Sequence, residues 1–215
     1  MRHNLYAFPH KGLRHGLTSF LTSLDTTDVE DQPAMNKLKQ QATELAFMIR
    51  NHSQSENEIL MTSLAEKMDH SLKTDSDVKE HQQLDQKISK LSEQFSELPE
   101  TPTDEQFLLI RQKANLLIPE LLEHMQSEEI RFLPLFWKYY SDNELNKLHD
   151  QVMSSMNPDQ IALWFKYIVP ALSPSERTGL IKLLKASAPE DFFNQLMKIA
   201  ERELKSVEFK RISEL

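Results

Sequence analysis

Two pentapeptides, HSQSE at 52–56 and HMQSE at 124–128, repeat one frame, His-x-x-x-Glu, in a chain with eight histidines. At helical spacing this frame stacks an imidazole and a carboxylate on one face, a turn apart. Both groups ligate first-row divalent metals, and a carboxylate has two oxygens with which to bridge a pair of ions. A single such frame reads as an exposed ion pair on a helix surface, and in a chain this rich in glutamate it is unremarkable by chance. The chemistry therefore depends on which face of its helix each histidine occupies.

His52 and Glu56 share a three-and-four spacing with Leu45, Met48, Ile49, Ile59 and Leu60. His81 falls on a stripe with Val78, Leu84, Ile88, Leu91 and Phe95, and His124 and Glu128 on one with Phe107, Ile110, Ala114, Leu117, Leu121 and Leu135. Near the start of the chain, His10 lines up with Leu13, Leu17, Leu21 and Leu24, whereas His15 lies about 140° further around the helix. Apolar periodicity thus predicts four inward histidines, one from each of four segments. His15, His3 near the terminus, His70 in a polar turn and His149 in the tail read as surface histidines. Glu129, beside Glu128 but on another face, reads as solvated, and Asp85 as a neighbour of the site or a solvated group rather than a ligand.

Four helices must bring these residues together. The first segment spans about 5–24, with Pro9 tolerated in its first turn. The second follows Pro33, the third follows a helix-starting TDSD at 74–77, and the fourth follows LPETPTDE at 98–105. Short connections imply antiparallel neighbours, so the expected fold is all-α: an up-down-up-down four-helix bundle with additional C-terminal helices. The expected division is a bundle over 1–140 and a helical extension over 141–215. In that extension SDNE at 141–144 and SPSE at 173–176 fit Ser-x-x-Glu capping boxes. The aromatic run RFLPLFWKYY at 131–140 reads as a lining above the metals or, more simply, as the surface on which the C-terminal helices dock.

Measured from the bundle end the four segments share, the histidines lie 14 residues before Leu24, 17 after Met35, 16 before Glu97 and 21 after Thr103. At ~1.5 Å per residue these heights agree within about two turns, so one layer can hold all four. The intervals also repeat: 42 residues from His10 to His52, 43 from His81 to His124. Two similar hairpins, each giving His plus His-x-x-x-Glu, would supply two imidazoles per metal and two bridging carboxylates. Burying Glu56 and Glu128 on apolar stripes without partners would be costly, and a pair of cations offsets that cost.

Composition removes other chemistries. No cysteine means no disulfide, thiolate zinc site, cysteine-ligated cluster or thiol nucleophile. A net charge of −8 argues against nucleic acid and anionic membrane surfaces as partners. No apolar run approaches the ~20 residues that span a bilayer, and MRHNLYAFPHKGLRH lacks a signal-peptide core, so a soluble cytoplasmic protein is expected.

Taken as an ordered set, HKGLR at 10–14, HSQSE at 52–56, EHQQL at 80–84 and HMQSEEIRFLP at 124–134 resemble the helix signatures of the hemerythrin-like, or HHE cation-binding, domains. The resemblance covers about residues 5–140. It implies a non-haem pair of irons, oxo- and carboxylate-bridged, with His10, His52, His81 and His124 as terminal ligands and Glu56 and Glu128 as bridges. Manganese or zinc could substitute. Oxygen carriers of this kind have a further histidine where Asp85 stands and an aspartate in place of Glu128. The four-His, two-Glu set is closest to the di-iron proteins of iron-centre repair that respond to nitric oxide. The implied function is binding of O2, NO or peroxide for sensing, scavenging or iron-centre maintenance, by a binding protein more than a dedicated enzyme. A homodimer or a protein partner could be engaged through the C-terminal helices. The alternative is a metal-free helical protein–protein interaction module. A ferritin-like oxidase fits less well, because no candidate histidine follows a glutamate at i,i+3.

Overall fold

In a computed structural model that describes residues 2–69 and 75–215, every regular element among these residues is helical. The first rod is α1 (Ala7–Thr26). The second, α2 (Gln32–Ser55), passes through a π-helical turn at Glu56–Leu60 into α3 (Met61–Lys67). The third and fourth are α4 (Asp75–Glu97) and α5 (Asp104–Arg131). Helix α1 lies beside α2 and α5, and α4 beside the same two, which closes the square of an antiparallel bundle. The expected fold class holds.

Local signals explain the boundaries. Asp31 accepts from Ala34 N–H and Pro33 occupies the first turn, where no amide proton is needed, so α2 starts there. Thr103 and Gln106 form a reciprocal capping box at the start of α5. Pro9 sits in the first turn of α1, as expected. The cap expected around TDSD begins at Thr74, outside the described residues, and His70 lies outside them too. The second segment is not one uniform α-helix: at Glu56 the winding widens, and Met61 N–H reaches back five residues to the Glu56 carbonyl. Such single-turn insertions concentrate at functional sites.

The main core fills the bundle with Leu13, Leu17, Phe20, Leu45, Met48, Ile88, Phe95, Ile118 and Leu121. A second cluster closes the end beyond the histidines. There Tyr6, Leu60, Met61 and Leu64 meet Phe132, Phe136 and Tyr140 of a segment that continues from α5 into α6 (Leu133–Tyr139) and on to α7 (Asp142–Ser154). The aromatic run at 131–140 therefore seals the bundle end.

The remaining chain forms α8 (Pro158–Ala171), α9 (Pro174–Ser187), α10 (Glu190–Glu203) and α11 (Ser206–Ser213). Capping boxes at Ser141/Glu144 and Ser173/Glu176 start α7 and α9 as the sequence suggests. Helix α8 lies along α1 on a seat made by two glycines: an added Cβ at Gly16 would meet Leu45 Cδ2 at 2.6 Å and Tyr167 Cδ1 at 2.8 Å, and one at Gly12 would meet Ile168 Cγ1 at 2.8 Å. Trp164 donates to Asn51, and Lys166 and Tyr167 both reach Glu44. The tail packs on the bundle through α8, and α10 covers the far side of α8.

Candidate metal centre

All six residues singled out by periodicity meet in the bundle interior. His10 is fully enclosed, Glu56 and His81 are 1% exposed, Glu128 2%, and His124 and His52 at most 8%. Their donor atoms form two overlapping groups, His10, His52, Glu56, Glu128 and Glu56, His81, His124, Glu128, with the chosen atoms in each within 4.8 Å of one another. Each hairpin contributes a histidine pair: the ring centroids of His10 and His52 are 4.9 Å apart at 80°, those of His81 and His124 4.7 Å apart at 85°. Both glutamates belong to both groups.

The carboxylates span the two halves atom by atom. Glu128 Oε2 lies 3.3 Å from His10 Nε2 and 3.7 Å from His52 Nε2, while Oε1 lies 2.9 Å from His81 Nε2 and 2.8 Å from His124 Nε2. Glu56 Oε1 is 3.5 Å from His52 Nε2, and Oε2 is 3.2 Å from His81 Nε2. One oxygen of each glutamate thus faces each histidine pair, the disposition of a bridging carboxylate.

Three histidines are oriented through Nδ1. His10 Nδ1–H donates to Glu129 Oε1 at 2.8 Å, and His81 Nδ1–H to Asn57 Oδ1 at 2.8 Å. His124 Nδ1 faces Glu80 Oε1 at 3.2 Å. In these tautomers the Nε2 of His10, His81 and His124 carries a lone pair: His81 and His124 Nε2 both point at Glu128, which sets acceptor against acceptor, and His10 Nε2 lies 3.0 Å from His52 Nε2. Both oxygens of Glu56, Oε2 of Glu128 and Nε2 of His124 have no hydrogen-bond partner despite burial. A cation in each group would turn this repulsion into ligation, and an imidazole fixed through Nδ1 is the usual support for that role. The residues present fit a pair of divalent metals.

The electrostatics agree. Burial pushes Glu56 well above the usual carboxylate range, and the neighbouring Glu128 adds to it. Burial alone would raise Glu128 too, but the four imidazoles around it bring it well below its ordinary value. Burial lowers His52 to about 4, which keeps it neutral and ligand-ready at neutral pH. The hydrogen bond from His10, with help from Arg14, holds Glu129 down at about 2.

Reading faces alone missed four supporting residues. Glu129 is not simply solvated: it joins His10 and Arg14. Asn57 and Glu80 fix two further rings, and Asp77, 3% exposed, takes a two-pronged hold on Arg131 at 2.6 and 3.2 Å. An exposed-face period gives no sign of them, because each reaches inward sideways from the edge of a stripe. Asp85 accepts from Ser53 at 3.0 Å and belongs to neither donor group. His3 and His149 pair with each other at 5.4 Å, and His15 is half-buried away from the centre.

Two openings adjoin the centre. A cleft of about 370 Å³ between α4 and α5 is walled by Glu80, Glu120 and Glu123 and has His124 at its floor. A void of about 10 Å³ lies between Leu13, Leu17, Ile49, Leu121 and the rings of His52 and His124. That is room for about one water-sized molecule in an apolar lining. No helix among the described residues is long and apolar enough to cross a membrane.

Fold and site together define an all-helical bundle protein with a buried His/Glu cluster able to hold cations. Residues 4–136 match the model of the hemerythrin HHE cation binding domain, and the chain belongs to that family. Neither the comparison with curated proteins nor that with solved structures gives a match.

Proposed function

We propose that the chain holds a pair of iron ions, with His10 and His52 on one, His81 and His124 on the other, and Glu56 and Glu128 between them, and that it binds O2, NO or peroxide there for sensing, scavenging or iron-centre maintenance. The observation that carries this reading is the double membership of the two glutamates: six neutral or anionic donors, two of them shared, form two compact sets in which four buried atoms have no hydrogen-bond partner. Imidazole and carboxylate without thiolate suit iron, manganese or zinc.

Bound iron would supply Lewis acidity and one-electron redox chemistry at coordination positions that the six side chains leave open. The protein's own part is to arrange and protect. Glu129 and Asn57 hold the His10 and His81 imidazoles in the tautomer that presents Nε2, and Glu80 faces Nδ1 of His124. Leu13, Leu17, Ile49 and Leu121 line the core side of the His52 and His124 rings and leave a space of about 10 Å³ there. The aromatic cap of Phe132 and Phe136 closes the opposite end. We assign the protein to the cytoplasm, and the C-terminal extension over 141–215 to support of the bundle or contact with a protein partner.

Elemental analysis of protein purified from iron-supplemented cells is expected to give about two metal ions per chain, one for each donor set. An optical titration with O2, NO and azide is then expected to perturb the iron absorption. Trace metal only, in protein that is folded and monodisperse, would leave a metal-free helical interaction module as the correct description.

A further inference from the structure

The bundle places a second layer of side chains one turn from the histidines. Neighbouring rods are antiparallel, so residues four after His52 and His124 and residues four before His10 and His81 lie at the same level. Those residues are Glu56, Glu128, Tyr6 and Asp77, and all four are buried. Three have an evident occupation: the glutamates each face both histidine pairs, and Asp77 is held by Arg131. Tyr6 has none. Its ring is 0% exposed, set against the His10 ring at 5.0 Å and against Phe136 at 6.2 Å, and its hydroxyl has no hydrogen-bond partner.

A buried hydroxyl without a partner is destabilising, and phenylalanine would fill this apolar corner between Leu60, Met61 and Phe136 without that cost. Tyr6 shares its layer with Glu56 and Glu128, which puts it on the carboxylate side of the centre. A metal-bound carboxylate oxygen keeps a lone pair, yet no oxygen of those glutamates accepts from Tyr6 in this structure. The hydroxyl is therefore free to meet an acceptor that comes from outside the protein.

We propose that Tyr6 donates a hydrogen bond to an acceptor atom of a small exogenous anion held at the metal pair on the side of Glu56 and Glu128. The inference rests on the metal reading above. It gives the centre two unlike sides: an apolar void beside His52 and His124, and a hydroxyl donor one turn away. The donor favours ligands with a lone pair and negative charge, such as azide or peroxide, over those without.

The test is Tyr6→Phe in the full chain, with azide as the probe. The variant is expected to load as much iron as the wild type, and its metal-free form to melt at the same temperature or higher, since an unpartnered hydroxyl has been removed. Its Kd for azide is expected to rise about tenfold, a loss of about 1.4 kcal/mol. An unchanged azide Kd at full iron content overturns the proposal and leaves the metal reading standing. So does a drop in iron content together with loss of a phenolate-to-iron absorption band, which would make Tyr6 a ligand itself. Wild-type protein that takes up no metal sinks both.

Discussion

At the residue scale, the imidazoles depend on neighbours that are not ligands. Glu129 receives the Nδ1 proton of His10 and is itself held by Arg14. Removing such a supporting group commonly weakens metal binding by roughly 10–100-fold. Glu129→Ala is therefore expected to lower the affinity of the His10 and His52 position by about that factor while saturating stoichiometry stays at the wild-type value. A chelator competition titration measures it, and an unchanged affinity would make the Glu129 contact incidental. His52 gives a pH prediction for the metal-free protein. Its folded pKa, about 4, lies below the ordinary imidazole value of about 6.5. As pH falls through 6.5 the unfolded chain takes a proton that the folded chain refuses until about 4, so stability drops across that window and is not lost above it. The full drop is of the order of 3 kcal/mol. Urea melts of metal-free wild type and His52→Gln from pH 7 to 4 compare the slopes, and equal slopes would remove His52 from the account. The six residues that cluster were legible in the sequence because burial forces them onto apolar stripes. Their supports were not, because Glu129, Glu80 and Asn57 are polar residues at stripe edges, where a solvated side chain has the same period.

At the element scale, the helices were legible from period and caps, and so was their pairing. The loosened turn at Glu56–Leu60 was not, since one extra residue per turn leaves the apolar pattern on either side intact. The seat of α8 on α1 was also invisible: Gly12 and Gly16 read only as poor helix formers until α8 is in place. Two glycine substitutions separate these cases. Gly16→Ala brings a methyl within 3 Å of Leu45 and of the Tyr167 ring, and is expected to cost about 1–3 kcal/mol. Gly179→Ala, in α9 with open space around it, is expected to stabilise by about 0.5–1 kcal/mol. Thermal melts of the two variants should move in opposite directions. Shifts of the same sign would mean that α8 does not approach α1 as closely as described.

At the scale of the whole molecule, the four-rod core and the C-terminal helices are joined through α8. Trp164 and Tyr167 belong to the main core, and Trp164 stands edge-on to His52 at 6.4 Å. Residues 1–140 alone would expose the glycine face of α1 and the apolar surface under Trp164. That fragment is expected to melt broadly, bind a hydrophobic dye and retain less metal than the full chain. A sharp transition with full metal content would show that the bundle needs no cover. The Lys11–Glu176 pair ties α1 to α9 from the outside, at 2.5 Å. Lys11 holds Glu176 at about 2, so its modest contribution is present above the ordinary carboxylate pKa and fades only as pH falls toward 2. It is partly exposed, and neutralising it is expected to matter far less than removing α8.

The widened turn after Ser55 has one more implication. It acts as a spacer of a single residue between the half of the rod that carries His52 and Glu56 and the half that carries Leu60, Met61 and Leu64. With every residue kept, ordinary winding through this turn would swing everything downstream by about 100°. The three apolar side chains under the cluster would then face water, and the floor beneath the carboxylates would open. Deleting Glu58 would instead remove the widening together with the extra residue and keep those side chains inward, so that variant is expected to leave the floor closed.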